Sequence, residues 1–232
     1  YGSTKKKLFT EWGLQSAIVN IDDDFGKRIV NDSAADRVIT YGKSGDLSWH
    51  GGYSSTGMRV EFSFEGKSIG TDLLVHSEFE VANIAAALAA FLSMGHSIDK
   101  LINLLPKLAG VPGRMQKIPG PKGCPVVILD YAHTPDALER VLRACRHHCE
   151  GRLICLIGCG GGRDAGKRPI MGRVAIENSD VCYFTSDNPR DEDPLEILTN
   201  MTSSISTPEK SRLNLVIDRS EAIRTAINSG GE

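Results

Sequence analysis

The chain has 232 residues, a formal charge of −2 from 27 Lys and Arg against 29 Asp and Glu, and 41% hydrophobic residues. That is enough for one large or two modest α/β domains, each with its own core. The near-neutral balance argues against nucleic acid or an anionic membrane surface as the main partner, since both demand clustered basic charge.

The opening Tyr1-Gly2-Ser3 and the run Lys5-Lys6-Lys7 carry no initiator Met and no apolar stretch behind them, which reads as a fragment without a secretory signal. Residues 17–20 form a short apolar strand that runs into an acidic turn over 21–26. Met58-Arg59-Val60-Glu61-Phe62-Ser63-Phe64 alternates apolar and polar, the period of a half-buried and antiparallel strand. From Glu80 the period changes: Ile84, Leu88, Phe91 and Leu92 recur at helical spacing until Gly95. This most apolar run, 81–92, is interrupted by Asn83 and falls short of the ~20 residues that cross a bilayer. A second helix is expected from Ser97, its N-cap, through Leu101, Leu104, Leu105 and Leu108, until Gly110 and Pro112 stop it.

Breakers are densest over 110–125, and a domain boundary is placed near Gly113, giving domains 1–112 and 113–232. Beyond it, strands at 126–129, 153–157, 181–185 and 213–217 alternate with helices at 135–146, 169–177, from Pro194 and from Ser220. Such alternation argues for a Rossmann-like α/β domain whose mostly parallel sheet is covered on both faces. Ligands of such sheets collect at the carboxyl ends of the strands, so the loops after Leu129, Ile157 and Thr185 should line one crevice. The cysteines, Cys124, Cys145, Cys149, Cys155, Cys159 and Cys182, form no CxxC pair. They read as reduced thiols of a cytoplasmic protein rather than as a zinc site.

Three of these strand-end loops carry chemistry. In Asp130-Tyr131-Ala132-His133-Thr134-Pro135, Thr134 can cap the next helix and Pro135 suits its first turn. Asp130 can accept from ribose hydroxyls or cap the turn, and His133 is functional or only structural. In the run from Gly158 to Arg168, five glycines allow close approach of an anion, and Arg163, Lys167 and Arg168 supply charge. The pattern GxxxxGK[ST] fails there. In Asp187-Asn188-Pro189-Arg190-Asp191-Glu192, Arg can grip a carboxylate while Asp takes an ammonium. A solvated charged loop, with Arg190 paired to Asp191 or Glu192, is the plain alternative.

Taken together, Gly113-Arg114-Met115-Gln116, Asp130 to Pro135, Arg163-Asp164-Ala165-Gly166-Lys167-Arg168-Pro169 and Asp187-Asn188-Pro189-Arg190 resemble the Mur ligases. Within them the likeness is to the branch that adds the third amino acid of the peptidoglycan stem. Tyr1-xxx-Lys5-xx-Leu8-Phe9, Asn20-Ile21-Asp22-Asp23 and Phe79-Glu80-Val81-Ala82-Asn83 extend it over the whole chain.

The resemblance implies an ATP-dependent amide ligase using Mg2+, with UDP-N-acetylmuramoyl-dipeptide and meso-diaminopimelate as substrates and an acyl-phosphate on the way. It implies a carbamylated Lys5 as catalytic group and metal ligand, Asn83 on the adenine side, Arg114 on nucleotide phosphate and Asp130 on ribose. It assigns Arg163, Asp187, Asn188, Pro189 and Arg190 to the incoming amino acid. Asp-Asn-Pro-Arg accompanies diaminopimelate rather than lysine in that family.

The same resemblance groups Lys5, Asn83 and Arg114 with a central ATP-binding domain, and Asp130, Arg163 and Arg190 with the last domain. It places the P-loop and a UDP-sugar domain upstream of Tyr1, and a Gly-Lys-Gly-His-Glu motif beyond Glu232. Four positions depart from the pattern: Ser77 for Gly, Glu80 for Asn, Gln116 for Glu and Gly162 for Asp. A lysine-adding or folylpolyglutamate-type ligase, or a non-catalytic Mur-like interaction subunit, are the alternatives.

Overall fold

The computed structural model describes residues 2–54, 57–108, 110–121 and 123–230, so Tyr1, which opens the first motif, lies outside the described residues. The chain divides into two compact units, Tyr1–Gly110 and Val111–Glu232. No helix among the described residues is long and apolar enough to cross a membrane.

In the first unit, α1 (Gly2–Thr10), β1 (Ser16–Asn20) and α2 (Asp24–Asp32) precede four further strands. These are β2 (Arg37–Gly42), β3 (Leu47–Ser54), β4 (Gly57–Phe64) and β5 (Lys67–Leu73), and the sheet order is β1-β2-β3-β4-β5. β1, β2 and β3 run parallel, while β4 pairs antiparallel with both β3 and β5.

The period of two in β4 buries Met58, Val60, Phe62 and Phe64, which join Leu47 and Trp49 in one core. Burying each such side chain contributes roughly 1.5 to 3 kcal/mol. α3 (Glu78–Ser93) covers this core with Val81, Ala85, Leu88, Ala89 and Leu92. The expected face is therefore rotated. Phe91 is 47% exposed, because small alanines let the helix axis approach the sheet more closely than a phenylalanine would.

The second expected helix is also shorter. α4 (Ile98–Ile102) stops early and a 3-10 turn over Leu105–Lys107 follows. Ser97 stands at the N-cap without capping, because its hydroxyl goes to the Asp99 carboxylate at 3.1 Å. The acidic turn after β1 is in part the first turn of α2. Asp23 caps it, accepting from the N–H of Phe25 at 2.6 Å and of Gly26 at 3.3 Å. A Cβ at Gly26 would lie 1.7 Å from the Asn20 carbonyl oxygen, so only glycine lets α2 start this close to the strand.

The second unit holds β6 (Gln116–Ile118), β7 (Val127–Leu129), α5 (Pro135–His147), β8 (Ile154–Ile157) and α6 (Lys167–Asn178). It continues with β9 (Val181–Phe184), α7 (Pro194–Thr202), β10 (Leu213–Leu215) and α8 (Arg219–Ser229). β10, β9 and β8 form a parallel sheet.

Period two again decides the faces. Cys182 and Phe184 of β9 lie in a core with Leu138 and Leu142 of α5, Met171 and Ala175 of α6 and Leu198 of α7. Tyr183, between them, reaches Ser229 of α8 with its hydroxyl. The sheet is thus covered on both sides, as alternation implies. β7 differs from expectation: it leaves the parallel sheet and pairs antiparallel with β6, a strand too short to show a period.

Candidate functional site

The loop after β7 is built around Asp130. One carboxylate oxygen accepts the N–H of Ala132 at 2.8 Å and the other that of Met115 at 2.9 Å, fifteen positions earlier in the chain. Asp130 therefore holds its own turn and the Gly113–Gln116 turn together, and a second lone pair on each oxygen remains to accept from a hydroxyl.

The Gly113–Gln116 turn needs left-handed backbone at Gly113 (φ 69°) and Met115 (φ 44°). Gln116 closes it by accepting the Gly113 N–H at 2.8 Å, which a glutamate there would also do. The turn presents Arg114, whose guanidinium lies 5.3 Å from the centre of the Tyr131 ring. Arg114 belongs to the second unit, not to the first where the resemblance grouped it. His133 packs edge-on to Tyr131 and keeps Nδ1 3.1 Å from the Tyr131 carbonyl. Thr134 caps α5 through the Ala137 N–H.

The glycine-rich loop after β8 and the loop after β9 are tied to each other. The Gly161 N–H donates to the Asn188 carbonyl at 2.8 Å, and the Arg190 guanidinium donates to the Gly161 carbonyl. Arg190 itself sits at φ 51°. Glu192 accepts the Gly162 N–H at 2.6 Å and pairs with Arg168 at 2.8 Å.

Two of the three cations expected to meet an anion are thus engaged within the protein. Arg168 is buried in that pair, and Lys167 donates to the His133 carbonyl at 3.0 Å, which bridges this loop to the Asp130 loop. Arg163 is exposed, as are Asp187, Asn188 and Arg190, and Pro189 is half-buried. The surface pairing considered for Arg190 is replaced: Glu192 goes to Arg168 and Arg190 to Gly161. The Gly162 N–H, first, and the Arg168 guanidinium hold the Glu192 carboxyl below its ordinary value. Burial pushes the Cys159 thiol up, which outweighs Lys167 and Arg168 and keeps it from acting as a thiolate.

In the first unit, Lys5 lies exposed on α1 and Asn83 exposed in the second turn of α3. The two departures ahead of Asn83 compensate each other. Ser77 caps α3 by accepting the Glu80 N–H at 3.3 Å, and the Glu80 carboxylate takes the Ser77 hydroxyl and the His76 N–H, each at 2.9 Å. This is a variant of the capping box, written in the sequence as Ser-x-x-Glu, in which the carboxylate takes the N–H of His76 rather than that of Ser77. Among the described residues no three His, Cys, Asp or Glu side chains converge to hold a metal ion.

Sequence reasoning missed the roles of Arg168, Glu192 and Tyr131. An Arg in the first turn of one helix and a Glu in the loop before another carry no spacing that marks them as partners.

Residues 113–232 match the family described as Mur ligase, glutamate ligase domain, and residues 1–91 match the Mur ligase middle domain. The chain belongs to the Mur ligase family. A UDP-N-acetylmuramoyl-L-alanyl-D-glutamate--2,6-diaminopimelate ligase of Aquifex aeolicus is 40% identical over 235 residues, taking in 100% of this chain and 47% of that protein. A ligase of the same name has a solved structure that is 34% identical with a TM-score of 0.59, over 97% of this chain and 47% of that one. The MurF ligase of Thermotoga maritima, solved in complex with ADP, shares the fold at 19% identity and a TM-score of 0.65, over 99% of this chain and 57% of that one. This Mur ligase chain spans about half the length of the curated relatives it matches.

Proposed function

We propose that the chain is part of an ATP-dependent ligase that joins meso-diaminopimelate to UDP-N-acetylmuramoyl-L-alanyl-D-glutamate in the cytoplasm. In this reading residues 1–112 end the nucleotide-binding domain and residues 113–232 hold the incoming amino acid. The observation that carries it is the pair of bonds between Gly161, Asn188 and Arg190. They set an exposed guanidinium at the carboxyl end of a parallel sheet, where such folds bind ligands.

A carboxylate is a poor electrophile at neutral pH, so amide formation needs it activated as an acyl-phosphate, from which the amine displaces phosphate. Diaminopimelate carries two amino-acid head groups. Arg190 grips the carboxylate of the head group that does not react, Asp187 takes its ammonium, and Arg163 adds positive charge beside them. That leaves the other amine aimed at the acyl carbon. Asp130 receives the ribose hydroxyls with its remaining lone pairs, Arg114 faces phosphate and Asn83 the adenine.

Bound Mg2+ would neutralise charge on the transferring phosphoryl group. With no cage of side chains among the described residues, the ion would depend on nucleotide phosphates, water and a carbamate on Lys5, a donor set that suits Mg2+.

Incubating the full-length protein with ATP, Mg2+, the UDP-dipeptide and either diaminopimelate or lysine tests the reading. Formation of the diaminopimelate tripeptide with matching phosphate release is expected. Preferential use of lysine, or no ligation with either amino acid, would overturn it.

A further inference from the structure

Arg168 is 2% exposed, and no other charged residue among those described is buried to that degree. Its Nη2 meets both oxygens of Glu192, at 2.9 and 2.8 Å, and lies 3.5 Å from the Gly160 carbonyl. Its Nε–H is buried with no acceptor. A guanidinium taken out of water and left incompletely bonded contributes little net stability, and an apolar side chain of the same volume would pack the site at least as well.

What the charge adds is geometry. Arg168 lies in the first turn of α6, anchored by the helix, and Glu192 carries the load onward. Its carboxylate holds the Gly162 N–H at 2.6 Å, and its own N–H closes the turn onto the Pro189 carbonyl at 3.0 Å. Three consecutive glycines on one loop and the Asp187–Arg190 segment on the other are thereby referred to one buried ion pair. Glycines and a residue at φ 51° would otherwise sample many conformations.

We propose that Arg168 and Glu192 form a positioning clamp that fixes the Arg190 guanidinium for a dicarboxylic amino acid without touching the substrate. The inference rests on the diaminopimelate reading for its choice of substrate, but the clamp itself can be measured without one.

Glu192→Gln keeps the shape and an acceptor for the Gly162 N–H while removing the charge. In the full-length ligase it should raise KM for diaminopimelate roughly 10- to 100-fold, the scale of a small misplacement of a binding group, and leave KM for ATP unchanged. Arg168→Lys should retain more diaminopimelate affinity than Arg168→Met. The double variant Arg168→Met with Glu192→Gln has no unpaired buried charge, so it should fold and still show the raised KM. Unchanged KM for diaminopimelate, or equal rises for diaminopimelate and ATP, overturns the clamp.

Hydrogen exchange of the free protein separates this from the functional reading. Faster exchange at the Gly161 amide, which is bonded to the Asn188 carbonyl and not to Glu192, supports the clamp in Glu192→Gln even if wild type proves to use another amino acid. Exchange at the wild-type rate refutes it.

Discussion

The guanidinium of Arg190 is bonded to the carbonyl of Gly161, on a loop 29 positions away in sequence. A left-handed backbone at a non-glycine residue costs roughly 1 to 2 kcal/mol, and at Arg190 it turns the side chain toward that loop. The glycine is as necessary as the arginine, since a Cβ at Gly161 would lie 1.9 Å from the Pro189 carbonyl oxygen. Gly161→Ala should therefore force the loops apart. Use of diaminopimelate should fall by at least about tenfold, within the range that misplacing a binding group costs, with ATP affinity retained. Steady-state kinetics check this.

Asp130 joins two turns through the N–H groups of Met115 and Ala132. Asp130→Ala leaves both donors unsatisfied, for a loss of about 1 to 3 kcal/mol. Because the Arg114 turn is released at the same time, nucleotide affinity should weaken as well. Thermal unfolding and nucleotide titration report the two effects separately, and a variant with unchanged stability would show that Asp130 does not organise these turns.

Lys5 stands exposed on a helix that buries none of its residues. Burial therefore does not fix the identity of residue 5, and carbamylation is the proposal. Lys5→Ala in the full-length protein should lose activity most at limiting Mg2+, with partial rescue by added formate or bicarbonate. Normal activity under those conditions contradicts the metal-ligand role.

Acid should loosen the turn at 206–209 and its tie to the middle of α6. The hydroxyl and N–H of Ser206, and then Arg173, hold the Glu209 carboxyl at about 2 against an ordinary 4.5. Arg173 reaches it at 2.7 Å. A depressed carboxyl adds stability that is complete above its unfolded value and is lost as pH falls through the folded one. Wild type should lose stability between pH 4.5 and about 2, and Glu209→Gln should flatten that slope in thermal melts.

Sequence periodicity revealed the elements whose burial is one-sided. β4 alternates cleanly, and Thr134-Pro135 marks the start of α5 by its cap and its first-turn proline. Elements without such a signal stayed hidden. β3 carries Gly51-Gly52 in its middle, α1 has no buried face and β6 has three residues. The strand-end loops were legible as chemistry because Gly, Pro, Arg and Asp were concentrated there. Their wiring was not, because Arg168 and Glu192 meet across 24 positions and nothing local pairs them. Ser77 and Glu80 show the opposite case: set against a family pattern they stand out as departures, whereas their own spacing spells a helix cap.

The measurement that tests the account most directly is the preference of Arg190→Ala for diaminopimelate over lysine in the full-length ligase. A charge-assisted bidentate contact to the distal carboxylate is worth ~1.5 to 3 kcal/mol, and lysine has no such carboxylate. Removing Arg190 should therefore cut kcat/KM for diaminopimelate by roughly tenfold to a hundredfold or more. Lysine use and ATP affinity should change far less. An unchanged preference would contradict the account, because the Asp187–Arg190 loop would then not read the substrate.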